Sequence, residues 1–188
     1  MRRLLILIFS VLPIVASAIG IESTVSLLDR LDSALAHSDE FASMRLARVA
    51  SMRKMQQSPH ITDEQLYDLN EAIAREFEVF QFDSTINYLY WNLGIARELH
   101  DQYKVDQSII ALGRVHATAG YYLDANNMLN LQLDTMRLDP SLRDEYYWAQ
   151  YCLNNQLYTE ADNPSPKSLV APRMRYYRDR LLEQLSIS

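Results

Sequence analysis

Apolar residues recur along this chain at spacings of three and four, the period of one helix face. The stripe is clearest after Thr62-Asp63-Glu64-Gln65, where Leu66, Leu69, Ile73, Phe77 and Phe80 line up. Thr62 and Gln65 have the spacing of a capping box, in which each side chain satisfies the other's backbone N–H. Upstream, Val25, Leu28, Leu31 and Leu35 predict a helix over 24–36. A second helix is expected from about Glu40 to Gln57, capped by Ser38 or Asp39 and stopped at Ser58-Pro59.

Downstream of the Gln81-Phe82 turn, Asp83 is expected to cap a helix reaching Leu99. Ile86, Leu89, Leu93 and Ala96 form one of its stripes, and Tyr88, Trp91, Ile95 and Leu99 another. So wide an apolar surface predicts packing on both sides. Ile109, Leu112, Val115 and Ala119 predict a helix from about Lys104, ended by Gly120 and a turn at Tyr121 to Leu123. Asp124 is then expected to cap a helix through Ala125, Met128, Leu129, Leu133 and Met136, ended by Leu138-Asp139-Pro140. Ser141 is expected to cap a helix to about Tyr158, and Thr159 to Ala171 reads as a polar loop. Pro172 is expected to open a last helix, with Met174, Tyr177, Leu181 and Leu185 facing inward.

The first apolar stretch differs from all of these. Arg2 and Arg3 precede a run from Leu4 to Ala16, broken only by Ser10 and Pro13 and followed by the small-residue pattern Ala16-Ser17-Ala18. This is the form of an export signal. The run is shorter than the about 20 apolar residues of a comfortable membrane span. The reading is a signal peptide over 1–18, an N-terminal helical pair over 19–60 and helical repeats over 61–188. The expected location is the periplasm or cell envelope; an uncleaved anchor is the alternative. No later segment reads as a membrane helix.

Composition narrows the fold and the partners. Four glycines and a 48% apolar content fit an all-helical core rather than disorder. The formal net charge is −6, and more negative without Arg2 and Arg3, which argues against direct nucleic acid binding. The one cysteine, Cys152, cannot form an internal disulfide and reads as a buried thiol within a helix.

Placing Phe82-Asp83 over Leu123-Asp124 superposes two helix-turn-helix units at an offset of about 41 residues, against about 34 in the tetratricopeptide (TPR) unit. Leu112-Gly113, Gly120, Tyr122 and Ala125 resemble the TPR pattern, in which small residues let two helices approach closely. A third pair runs from Leu142 to Tyr158 and from Pro172 to Leu185. The fold class expected is all-α, with antiparallel helix pairs stacked as a TPR-like solenoid.

A narrower resemblance covers about residues 27 to 100. Leu31-Asp32-Ser33-Ala34-Leu35, Phe41, the basic helix from Arg45 to Lys54, and Glu76-Phe77-Glu78-Val79-Phe80-Gln81-Phe82-Asp83-Ser84 carry it. These resemble the start of a family of exported TPR proteins of gut Gram-negative bacteria that carry a domain of unknown function. Phe77, Glu78 and Thr85 stand where that pattern has tyrosine, lysine and alanine. The resemblance implies kinship with membrane-bound transcriptional regulators, built as an exported helical-repeat sensor, one membrane span and a cytoplasmic end. This chain, ending at Ser188, is then expected to be the sensor half.

Chemistry-bearing clusters are few. His37 and His60 stand beside acids at helix starts, where the helix dipole alone accounts for carboxylates. His116, next to Val115, reads as a core histidine. The acid pairs Asp63/Glu64 and Asp144/Glu145 sit in first helical turns. No nucleophile elbow or phosphate loop is present. No enzyme activity, metal or cofactor is therefore expected.

The aromatic residues point to recognition. Clusters at Tyr88 to Trp91, Tyr121-Tyr122, Tyr146 to Trp148 and Tyr176-Tyr177 recur from unit to unit. Neighbours on a helix point about 100° apart, so not every ring in a cluster faces one core. They either line a groove or pack between repeats. Tyr90, Tyr121, Tyr147 and Trp148 are the candidate binding residues, with Arg45 and Arg48 as an anion-binding option. The partner expected is a protein, a peptide or a second copy of the chain, recognised by a sensor module. The alternatives are an envelope scaffold or assembly subunit, and a small-ligand or glycan binder. A concave pocket holding Trp148 beside carboxylates would favour the last.

Overall fold

The computed structural model describes residues 24–185 except Val25 and Ala34, with the side chains of Gln184 and Leu185 also outside it. The expected export signal, Val25 and the inward side chain of Leu185 therefore lie outside the described residues. The first long helix, α1 (Ser38–Gln56), spans the boundary between two compact units, which falls between Arg48 and Val49. In the first unit the described residues of 24–36 have helical backbone, and Leu28, Leu31 and Leu35 stay exposed. Ser38 and Asp39 do not precede α1 as caps. The His37 carbonyl accepts the first helical bond, from Phe41, which brings both residues into the first turn.

The second unit is a stack of helix pairs. Its helices are α2 (Asp63–Phe77), α3 (Phe82–Glu98), α4 (Gln102–Thr118), α5 (Tyr122–Asn126), α6 (Arg143–Glu160) and α7 (Pro164–Leu185). No strand occurs among the described residues. α2 packs on α3, α4 on α5 and α6 on α7, and α4 also packs against α3 and α6. Ile73, Ala96, Leu112, Leu129 and Ala149 have no exposed surface. Each fully buried leucine or isoleucine stabilises the fold by about 1.5–3 kcal/mol relative to exposure.

α2 begins as its sequence predicts. Thr62 Oγ1 accepts from the Gln65 N–H at 3.2 Å, and Gln65 Oε1 accepts from the Thr62 N–H at 3.1 Å. Its buried face is Tyr67, Asn70, Ile73, Ala74 and Phe77, rotated from the predicted stripe. Leu66 and Leu69 are only half-buried, and Phe80 lies beyond the helix end. The rotation follows from polar contacts. Tyr67 donates to the Lys104 carbonyl and lies 3.0 Å from Ser108 Oγ, while Asn70 accepts from Gln56. Burial pushes the Tyr67 phenol up to about 12.

Several expected boundaries shift. Asp83 does not cap α3: Gln81 holds that place, and no side chain caps the helix. The Phe80 and Gln81 N–H groups both return to the Phe77 carbonyl, and this tight turn lets α3 start two residues early. Asp124 likewise falls inside α5, whose cap position is Tyr121. There Gly120 adopts φ 87°, and the Tyr121 N–H bonds back to the His116 carbonyl, so the chain reverses before Tyr122. The end of α3 uses the same closure, with His100 at φ 55° and the Asp101 N–H on the Ala96 carbonyl. Asp101 then caps α4 by accepting from the Lys104 N–H.

The helix after Gly120 is also shorter than its apolar pattern. It becomes π-helical over Asn127–Gln132 and turns extended at Leu133. Leaving the helix there buries Leu133 and Leu138 and leaves Met136 at 93% exposed. Asp139, not Ser141, caps the next turn: its carboxylate accepts from the Ser141 N–H and hydroxyl ahead of Pro140–Leu142. The loop expected from Thr159 to Ala171 is nearly all helix. Pro164 and Pro166 occupy the first turn of α7, where a missing N–H does no harm, so Pro172 falls inside.

Candidate functional site

The three first helices, α2, α4 and α6, build one cavity of about 290 Å³. α2 and its C-cap supply Glu71, Ala74, Arg75 and Glu78; α4 supplies Gln107, Ile110, Ala111 and Arg114; α6 supplies Glu145 and Trp148. Thr85 and Leu89 of α3 complete the lining. Positions three and four apart on each helix point the same way, so residues 71, 74, 75 and 78 present one continuous face.

Charge is arranged unevenly over this surface. Arg114 makes a two-point contact with Glu78, its second bond being Nη2 to Oε2 at 3.0 Å. Both groups are half-buried, and the hydrogen bond to Glu78 holds the Arg114 guanidinium firmly protonated. Arg75 pairs with Glu71 one turn away, and Glu71 also accepts from Gln107. These contacts tie α2 to α4 across the gap between them. Glu145 makes no hydrogen bond or ion pair among the described residues. Beside it the Trp148 ring is 47% exposed and stacks on Tyr151 at 5.7 Å. The cavity thus offers an aromatic face, one uncommitted carboxylate and two arginine–carboxylate pairs.

The other candidate residues lie elsewhere. Tyr90 and Tyr121 share a ring cluster centred on His116, whose edge meets Phe82, Tyr90 and Tyr121 within 6.3 Å. Tyr121 also stacks on Phe82 at 5.4 Å. His116 is buried, and its Nδ1–H donates to the Leu112 carbonyl at 2.8 Å, a core role. Tyr147 is half-buried between Tyr146 and Tyr177, at the contact of α6 with α7. Arg45 and Arg48 sit on α1 in the other compact unit, each with an interaction of its own. Only Trp148 of the six reaches the cavity.

Glu71, Glu78, Arg114 and Glu145 were not singled out as binding residues by sequence reasoning. The signal for the first three is faint: Glu71 has only the Glu-x-x-x-Arg spacing to Arg75 that any solvated helix face shows, and Glu78 and Arg114 are partners 36 residues apart. Glu145 lies in the first turn of α6, where dipole arguments alone explain an acid. Cys152 is buried close to this region, and burial pushes its thiol up. No group of three His, Cys, Asp or Glu is placed to hold a metal among the described residues. No described helix is long and apolar enough to cross a membrane.

Comparison with known proteins agrees with this architecture. No curated protein and no solved structure matches the chain. A family model does match, over residues 35–187, nearly the whole of the helical stack. The chain belongs to the family of the SusR N-terminal TPR domain.

Proposed function

We propose that this chain is the extracytoplasmic recognition module of a signalling or transcription-regulatory protein, and that it binds its ligand in the cavity of α2, α4 and α6. A TPR-type stack is an interaction fold, and such stacks present the surface of successive repeats to a partner. The observation that carries the reading is the exposed Trp148 ring beside Glu145, which makes no hydrogen bond or ion pair among the described residues, where the first helices of three successive pairs converge. Recognition rather than catalysis is the role. The export pattern at Arg2 to Ala18 supports a site of action in the periplasm or cell envelope.

The volume of about 290 Å³ sits at the lower edge of ligand pockets, roughly 300–1,000 Å³. It therefore takes a short segment: a few residues of an extended peptide or protein partner. A second reading is a hydroxyl-rich small ligand such as a glycan. Trp148 beside Glu71, Glu78 and Glu145 favours it, because a ring stacks on the apolar face of a sugar while carboxylates accept from its hydroxyls. An envelope scaffold using the same surface is the third possibility.

Calorimetric titration of the chain with extended peptides and with neutral oligosaccharides tests this. Saturable binding of one class is expected, weakened at least about tenfold by Trp148→Ala and by Glu145→Gln, as for loss of a central anchor. Affinity unchanged in both variants would move the site elsewhere.

A further inference from the structure

Gly94 lies mid-way along α3, exposed, and a methyl group there would meet nothing within 4 Å. Its φ is not positive, unlike that of Gly120. Neither packing nor backbone geometry within this chain asks for glycine, although glycine weakens a helix interior. The same face carries Asn87, Tyr90, Trp91, Arg97 and Glu98, three, four or seven residues from Gly94, and all are exposed. Tyr90 is 43% and Trp91 57% exposed. Arg97 and Glu98 make no side-chain hydrogen bond or ion pair among the described residues. An open hollow of about 560 Å³ lies alongside, between α3 and the side chains of Gln56 and Leu66.

We propose that this face is a self-association surface, on which two copies of the chain cross antiparallel through α3 at Gly94. Antiparallel pairing about Gly94 lays each edge of the face along the same edge of the partner, so Tyr90 meets Arg97 and Trp91 meets Glu98. The Tyr90 ring then covers the partner's Arg97, a cation over an aromatic face. The Trp91 indole N–H donates to the partner's Glu98, and two-fold symmetry makes each contact twice. The aromatic half of the face thus complements its own charged half. A parallel crossing would instead bring like charges together at Arg97 and Glu98. The bare backbone at Gly94 lets the helices approach to the usual about 8–10 Å between axes. This self-complementarity selects a second copy over an unrelated helix.

Gly94→Cys in the full chain places one thiol on the two-fold axis, where Cα atoms about 4.4–6.8 Å apart can be bridged. Cysteine is the better helix former at this open position, and the native Cys152 is buried. Under mild oxidation a covalent dimer is expected, formed at least about tenfold faster than from the exposed control Met136→Cys, since only a held pair of thiols reacts quickly. Without cross-linking, Arg97→Glu is expected to weaken dimerisation about tenfold in sedimentation velocity. Cross-linking no faster than the control, cross-linking to a different polypeptide, or a native chain still monomeric at about 100 μM would overturn the proposal.

Discussion

Gly113 and Gly94 both sit inside helices, and their surroundings give them opposite roles. A methyl at Gly113 would lie 2.5 Å from Leu129 Cγ and 2.6 Å from its Cδ2. Leu129 is fully buried, so it has nowhere to retreat. Gly113→Ala is expected to destabilise by about 1–3 kcal/mol through overpacking. Gly94→Ala is expected to stabilise by about 0.5–1 kcal/mol, because nothing stands in its way. Denaturant titrations at low protein concentration check both, and equal effects would contradict the packing. The Leu112-Gly113 pattern makes the first glycine readable as a close approach of two helices. The sequence pattern treats Gly94 as one more helical position, since only coordinates show that its surroundings are empty.

Helix beginnings follow different rules in this chain. α2 opens on a reciprocal cap between Thr62 and Gln65, whereas α3 opens on Gln81 with no side-chain cap. Thr62→Ala is therefore expected to lose about 1 kcal/mol of stability. Asp83→Ala is expected to lose about 0.3 kcal/mol, from its charge near the helix N-terminus alone. Thermal melts of the two variants separate the cases; equal losses would show that Asp83 caps after all. The capping box is legible because two polar side chains with fixed spacing leave a local pattern. The true start of α3 is set by the Phe77 carbonyl, which accepts two N–H groups in the preceding turn. Backbone bonds of that kind leave no mark in residue types. The π-helical stretch after Asn126 is equally silent, and it shortens a helix whose apolar spacing continues to Met136.

At the scale of the molecule, local periodicity carries most of the fold. Helix pairs, their order and the close approach at Gly113 are all readable from spacing. The cavity is not, because its residues come from three helices that are distant in sequence. Trp148 is visible as part of a recurring aromatic excess, but the same excess marks Tyr147, Tyr90 and Tyr121, which pack against other rings. Charge pairing is decided in three dimensions: Glu78 is bound by Arg114, and Glu145 feels the Arg114 charge without a hydrogen bond or ion pair of its own among the described residues. The chain holds two tryptophans, Trp91 on the outer face of α3 and Trp148 in the cavity. In a Trp91→Phe chain, emission reports Trp148 alone. Titration with extended peptides and with neutral oligosaccharides is predicted to give a saturable change in that emission with one class. Emission unmoved by a ligand that calorimetry shows to bind would contradict recognition in the cavity.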